Sequence, residues 1–126
     1  MKTNNQMYLE VVQYFEPKAK ASGFFDEDKI RGNLSKCYSS VNKPSITAKF
    51  KKICDMDNRT TVDLLNLLDY LSERITREIT EIRKKPTGFM RDIMLDAIYD
   101  VFFDIVYNII QEKEPENYKQ LMAECA

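Results

Sequence analysis

The chain contains no histidine and no tryptophan. Without histidine it cannot form the Ser-His and Cys-His pairs that activate nucleophiles, the HExxH zinc site or a histidine acid–base catalyst. An enzyme built on this sequence would have to use carboxylates, lysine or tyrosine. We expect such an enzyme to work around a magnesium ion, because carboxylate oxygens are suitable ligands for that metal.

Glycine and proline are also scarce, at three and four among 126 residues. Neither GxxxxGK[ST] nor GxGxxG occurs, so the common glycine-rich phosphate-binding loops are missing. So few turn formers and helix breakers favour long helices over a sheet. The length predicts one domain over residues 1–126, and a chain of this size can bury a core without disulfides or metals.

The three cysteines are too few and too far apart to suggest a disulfide framework. Cys37, Cys54 and Cys125 form no CxxC motif, and we interpret them as free thiols in a reducing compartment. The N-terminal sequence has no apolar segment typical of a secretory signal. The longest strongly apolar run, VFFDIVYNII, is too short and too polar to span a bilayer. We therefore predict a cytoplasmic protein with no membrane segment.

Apolar residues recur at helical spacing between short polar breaks, and we predict a helix over each of these segments. Thr60, followed by Asp63 three residues later, fits a capping box, and Thr87 is a second expected N-cap. Pro17 is expected to kink the first helix or end it early. The predicted helices begin near Asn5, Asp26, Pro44, Thr60, Phe89 and Pro115.

The fourth and fifth predicted helices are the longest. The fourth carries a narrow apolar stripe: Leu64, Leu68, Leu71, Ile75, Ile79 and Ile82. Because a short turn joins the two helices, we expect an antiparallel hairpin over about residues 60–112. The predicted fold is an all-α, single-domain bundle of five or six helices built on this hairpin.

Three aspartates, spaced four residues apart, interrupt the apolar sequence of the fifth helix: Asp96, Asp100 and Asp104. At ~100° per residue they lie ~130–170° from the centre of the main apolar cluster. We expect them to point away from the core. The remaining apolar residues cover most of the helix surface, which is typical of a helix central in a bundle or buried in an oligomer.

The segments REITEI and LDAIYDVFFDIV resemble the MazG-like all-α nucleotide pyrophosphatases. That family carries ExxE on one helix and ExxD on the next, and the resemblance implies that the four carboxylates hold magnesium against a nucleoside triphosphate. Glu78 and Glu81 supply the ExxE. Asp100 matches the aspartate of ExxD, but Ala97 takes the place of its glutamate, and Asp96 has a different spacing.

The geometry of the predicted hairpin gives this magnesium hypothesis mixed support. Glu78 and Asp96 are equally far from a turn at Thr87 and should lie at one level. The aspartates, however, face away from the core, and Glu81 lies ~120° from the leucine stripe of its helix. The two carboxylate sets are not predicted to converge inside the hairpin. The simpler interpretation is a solvated acidic stripe.

Basic residues are concentrated in two places, residues 36–59 and the region of the expected hairpin turn. The size, the helicity and the run DEDKIRGNLSKCYSSVNKPSITAKFKKI resemble the small helical subunits of CRISPR effector complexes, which line a bound RNA or DNA strand. That resemblance implies nucleic-acid-backbone binding by Lys43, Lys49, Lys51, Lys52, Lys84 and Lys85. The alternative is that these residues complement helix dipoles and keep the surface soluble.

The sequence thus leaves three hypotheses for function. The first is a small non-enzymatic helical interaction protein, a subunit, adaptor or inhibitor, with a protein partner or a homo-oligomer and no catalytic residue or cofactor. The second is a magnesium-dependent MazG-like nucleotide pyrophosphatase that uses Glu78, Glu81, Asp96 and Asp100. The third is a nucleic-acid-backbone-binding subunit of a larger complex.

Overall fold

A computed structural model describes residues 2–32, 44–84 and 89–125 of the chain. Its helices are α1 (Asn4–Ala21), α2 (Glu27–Gly32), α3 (Pro44–Cys54), α4 (Thr61–Ile82), α5 (Phe89–Lys113) and α6 (Pro115–Cys125). A short 3₁₀ turn, Met56–Asn58, follows α3. No strand occurs within the three described ranges, so the all-α prediction is confirmed for them.

Side-chain caps fix the starts of α1 and α4. The hydroxyl of Thr60 accepts a hydrogen bond from the backbone N–H of Asp63 at 3.2 Å, which is the first of the two bonds of the predicted capping box. At α1, Thr3 and Gln6 form a reciprocal capping box, with bonds of 3.1 and 2.8 Å, that the sequence analysis did not identify. Such caps satisfy N–H groups that have no partner inside the helix.

Two other sequence expectations concern helix boundaries. Pro17 lies on the exposed side of α1 and does not end the helix, which continues to Ala21. The predicted N-cap Thr87 lies outside the described residues, as does Cys37.

A chain of phenylalanine rings forms the centre of the core. Phe50 of α3 packs between Phe15 of α1 and Phe102 of α5, with ring centroids 6.0 and 5.8 Å away. Phe24, which follows α1, lies 6.5 Å from Phe15. Because all four side chains are almost completely buried, this cluster fastens three helices together through contacts that exclude water.

The two long helices, α4 and α5, pack against each other more extensively than any other pair. The first four residues of the predicted stripe on α4 are buried, and the last two are half-buried. α1 contacts both long helices, and α6 packs against α5. This arrangement buries Tyr8 of α1 beside α4, where its hydroxyl group donates a hydrogen bond to Glu78.

The end of α3 is fixed by polar contacts around a buried thiol. Arg59 donates from Nε to the carbonyl oxygen of Cys54 at 2.7 Å, and its Nη2 lies 3.3 Å from the sulfur of Met7. Asp55 adopts a left-handed conformation with φ 49°. Burial raises the pKa of the Cys54 thiol to about 11, so this free cysteine is a core residue, as expected.

Within the described ranges, none of the helices combines the length and the apolar character needed to cross a lipid bilayer.

Candidate functional site

α5 is buried along most of its surface. The side chains of Met94, Ile98, Val101, Phe102, Ile105 and Ile109 are almost fully buried. The side chains of Asp96, Asp100 and Asp104 are exposed. The expected orientation of the helix is therefore confirmed, because the predicted apolar cluster faces the core and the aspartates face away from it.

Aromatic rings lie beside the aspartates on the outer side of α5. At ~100° per residue the six side chains fall within an arc of ~140°. We call this surface the acidic–aromatic face, and it consists of Asp96, Tyr99, Asp100, Phe103, Asp104 and Tyr107. The ring of Phe103 stacks on Tyr107 with centroids 4.2 Å apart and an interplanar angle of 22°, and Tyr99 lies 6.1 Å away on its other side. All three rings are half-buried.

The charge on this face is negative and poorly compensated. No lysine or arginine among the described residues forms an ion pair with Asp96, Asp100 or Asp104. Partial burial and the nearby carboxylate of Asp92 raise the pKa of Asp96, and the positive charge of Arg83 offsets part of this increase. Burial, followed by the charges of Asp96 and Asp104, raises the pKa of Asp100. The face therefore combines apolar rings with carboxylates that repel one another. A bound cationic ligand would lower this electrostatic repulsion.

The aspartate one turn before this face is different. Asp92 is only 7% exposed and accepts a hydrogen bond from Nε of Arg83 at 3.1 Å. Arg83 is exposed and directly follows α4, and Asp92 lies in the first turn of α5. The ion pair therefore joins the end of one long helix to the beginning of the other. Asp92 thus belongs to the packing of the two long helices, whereas the later aspartates face solvent.

Glu78, one of the predicted metal ligands, is held by an arginine and a tyrosine. Its Oε1 accepts from Nε and Nη2 of Arg91 at 3.1 and 2.8 Å, and its Oε2 accepts from the hydroxyl of Tyr8. Arg91 also donates from Nη1 to Oε1 of Glu16 at 3.0 Å. This network joins α1, α4 and α5 through charge-assisted hydrogen bonds.

The ionisation of this network is consistent with its hydrogen bonds. Burial and the bonded carboxylate of Glu78 both raise the pKa of Tyr8, which stays a neutral donor. Burial alone would lower the pKa of Arg91, but the bond to Glu78 and the charges of Glu78 and Glu16 give a net increase. In the folded chain the carboxylate of Glu78 therefore accepts hydrogen bonds from a neutral Tyr8 hydroxyl group and a charged Arg91 guanidinium group.

The other predicted metal ligands have different surroundings. Glu81 pairs with Lys84, with Oε1 and Nζ 3.2 Å apart, while Asp96 and Asp100 lie on the acidic–aromatic face. Within the described part of the chain, no group of three or more acidic or cysteine side chains is arranged to hold a metal ion. Glu78 and Glu81 line the same cleft, but among the described residues they are not grouped with Asp96 and Asp100 as metal ligands, and the magnesium hypothesis stays a prediction.

The predicted nucleic-acid-binding lysines are only partly grouped. Lys49 and Lys52 line a cleft of about 410 Å³ between α1 and α3, together with Tyr14 and Lys2. The Nζ atom of Lys49 lies 5.7 Å from the ring centroid of Tyr14. Lys84 is instead paired with Glu81 beyond the end of α4.

The remaining members of that set add little to the cleft. Lys51 lies on α3 and is half-buried, but it does not line the cleft. Lys43 and Lys85 lie outside the described residues.

Sequence reasoning missed the roles of Tyr8 and Arg91. Tyr8 falls at the helical spacing of the apolar residues of the first helix, and Arg91 falls in the basic region of the expected hairpin turn, so the sequence indicates a core side chain and a surface charge. The available signal was the position of Glu78 near the edge of the apolar stripe of its own helix. To identify the partners of Glu78 one must also know which helices are in contact. The helical period of a single segment does not give that information.

No protein-family model, no curated protein and no solved structure matches this chain.

Proposed function

We propose that this chain is a small, non-enzymatic helical interaction protein that binds a protein partner through the acidic–aromatic face of α5. One observation carries the proposal: the Phe103 ring is half-buried and stacks on Tyr107, on the same side of α5 as the exposed Asp100 and Asp104. Aromatic residues with an apolar body and a defined orientation are enriched at protein interfaces. The partner that fits this face presents lysine or arginine side chains next to apolar ones.

The scaffold suits such a role. We propose that α4 and α5 form the antiparallel hairpin on which a helical bundle is built. The inner side of α5 is fixed in the core by Phe102, Ile98 and Ile105. Because the helix cannot rotate without disrupting that core, the outer side chains are held in a fixed register. A partner then pays little ordering entropy to bind them.

The charges of the face favour a basic partner over a second copy of the chain. In a twofold symmetric dimer the same surface patch meets itself. Asp96, Asp100 and Asp104 would then approach the same aspartates of the other copy, and like charges in an interface oppose association. A cationic partner relieves the repulsion, and a guanidinium group can also pack over the exposed rings for about 0.5–1 kcal/mol at such a site.

A capture experiment with matched variants tests this proposal. The wild-type chain is immobilised and exposed to extract of its own source cell, in parallel with a variant carrying Asp100→Lys and Asp104→Lys. The control carries Glu112→Lys and Glu124→Lys, which changes the net charge equally at exposed positions outside the face. We expect one partner to bind to the wild type and the control, and not to the face variant.

A synthetic peptide tests the same surface without the need for a cell extract that contains the partner. A synthetic amphipathic helix of lysine and leucine should shift the ring resonances of Phe103 and Tyr107 in NMR spectra. The binding should weaken as salt is added. Equal capture by the face variant and the control, together with unchanged ring resonances, would contradict the proposal.

A second candidate function is binding of a nucleic-acid backbone at the cleft between α1 and α3. It is favoured by Lys49 and Lys52, which line the cleft beside the ring of Tyr14, since lysines contact phosphates and an aromatic ring can stack on a base. Lys2 lines the same cleft but is paired there with Glu10 at 2.7 Å. Single-stranded oligonucleotides should bind with a steep salt dependence, and Lys49→Glu with Lys52→Glu should abolish this binding. Binding that does not respond to salt or to these substitutions would exclude the candidate.

A further inference from the structure

A second surface, separate from the acidic–aromatic face, has the opposite charge. It is a cleft of about 290 Å³ where α1, α4 and α5 meet. Its polar side consists of arginine and glutamate side chains, and its apolar side is supplied by α1. Its lining includes Tyr8, Leu9, Val12, Arg74, Arg77 and Glu78.

Pairing within the cleft leaves two arginines over. Glu78 is neutralised by Arg91 and bonded by Tyr8, and Glu81 is paired with Lys84. Among the described residues, no carboxylate forms an ion pair with Arg74 or Arg77. The uncompensated charge of the cleft is therefore positive and lies on these two residues of α4.

Arg74 is held in place although one of its donors is unused. Its guanidinium carbon lies 4.8 Å from the ring centroid of Tyr8, and the ring itself is almost completely buried. The Nε atom of Arg74 is buried and has no hydrogen-bond partner among the described residues. A buried donor without a partner costs free energy, and this unused donor belongs to one of the two arginines that line the cleft.

The spacing of the two arginines suits an oxyanion. Residues three apart on a helix are neighbours on its surface, so Arg74 and Arg77 offer two planar guanidinium groups one turn apart. The fork of N–H donors on each group matches the oxygens of a carboxylate or a phosphate. Both side chains line the cleft, so a small anion that enters it lies near both guanidinium groups.

The apolar wall indicates what the anion is attached to. Leu9 is 45% exposed and lines the cleft, and Val12 lies beside it, one turn further along α1. A free inorganic anion would leave Leu9 in water. We propose that the cleft binds an oxyanion carried on a short apolar body, such as an organic carboxylate or an organic phosphate.

Titrations followed by NMR test this binding site with three probes: hexanoate, hexyl phosphate and inorganic phosphate. We expect hexanoate or hexyl phosphate to shift the methyl resonances of Leu9 and Val12 and the Nε–H resonance of Arg74. The compound that binds with the higher affinity, hexanoate or hexyl phosphate, shows whether the site prefers a carboxylate or a phosphate head group. Inorganic phosphate should bind more weakly than hexyl phosphate, because it makes no contact with the apolar wall.

Variants locate the binding. Arg77→Gln, at an exposed position where folding is not at risk, should weaken binding of the better probe about tenfold, as expected for a lost charge-assisted hydrogen bond. Lys119→Gln removes the same charge on α6, outside the cleft, and should leave the affinity unchanged. The proposal is overturned if neither organic anion shifts the cleft resonances, if Arg77→Gln binds as well as the wild type, or if inorganic phosphate binds as tightly as hexyl phosphate.

Discussion

Phe102 and Phe103 are identical residues at consecutive positions of α5, yet they lie in two different regions of the protein. Phe102 is 1% exposed and packs on Phe50 in the core. Phe103 is half-buried and packs on Tyr107 at the surface, between two aspartates. One step of ~100° around the helix separates these environments. The hydrophobicity of a helix therefore shows how much surface it can bury, and the neighbouring elements decide which part becomes core.

The largest expected effect comes from truncating each ring in turn. Phe102→Ala should lower the free energy of unfolding by about 3–5 kcal/mol, because it leaves a cavity that the packed core cannot fill. Phe103→Ala should cost about 1 kcal/mol, since water replaces the lost ring contacts. Urea unfolding followed by circular dichroism measures both. If the two losses were equal, the acidic–aromatic face would be part of the core, and the comparison would fail.

The carboxylates of Glu78 and Asp100 give the same comparison between a packed and an exposed position. We expect their substitution to change the free energy of unfolding by less than Phe102→Ala does. Glu78 is bonded to Arg91 and Tyr8, whereas Asp100 has no ion-pair partner among the described residues. Glu78→Gln should lower the free energy of unfolding by about 1–2 kcal/mol, because it weakens hydrogen bonds to a charged group in a partly buried site. Tyr8→Phe is the matched test of the second bond. A neutral result for both substitutions would show that the network contributes nothing to stability.

Asp100→Asn should have the smallest effect, and its sign is opposite. The pKa of Asp100 is raised in the folded chain, so folding favours the protonated form. Its contribution to stability is present below the ordinary pKa of 3.8 and is lost as the pH rises through the raised value. At neutral pH the substitution should therefore stabilise the chain, by about 0.2–0.5 kcal/mol for each like-charged neighbour on the helix.

The pH dependence of this gain is the check. Thermal unfolding at neutral pH should show a higher Tm for the Asp100→Asn variant, and the difference should disappear below the ordinary pKa of an aspartate. Asp57→Asn, at an exposed position of the 3₁₀ turn, is the control. A gain that persists at low pH would mean that charge repulsion is not its cause.

These residues also show how far sequence reasoning reaches. The start of α4 at its Thr60 cap and the outward orientation of the α5 aspartates were predicted, because each depends only on local chemistry or on the fixed angle between residues of one helix. The bonds of Glu78 to Tyr8 and Arg91 were not. They depend on which helices touch and at what height, which is set by packing across the whole chain.

The candidate surfaces follow the same division. The composition of the acidic–aromatic face could be read from the sequence, whereas the cleft at Arg74 could not, because its walls come from separate helices. The ExxE spacing of Glu78 and Glu81 likewise fixes only their separation along α4. It does not determine that one meets Arg91 and the other meets Lys84.

The bond between Tyr8 and Glu78 has a consequence for the order in which the chain folds. It joins residues 70 apart in sequence, whereas Arg91 and Glu78 are only 13 apart. Closing the longer loop costs more chain entropy, so we expect α4 and α5 to associate before α1 docks on them. Weakening the Tyr8 contact should then accelerate unfolding and leave the folding rate almost unchanged.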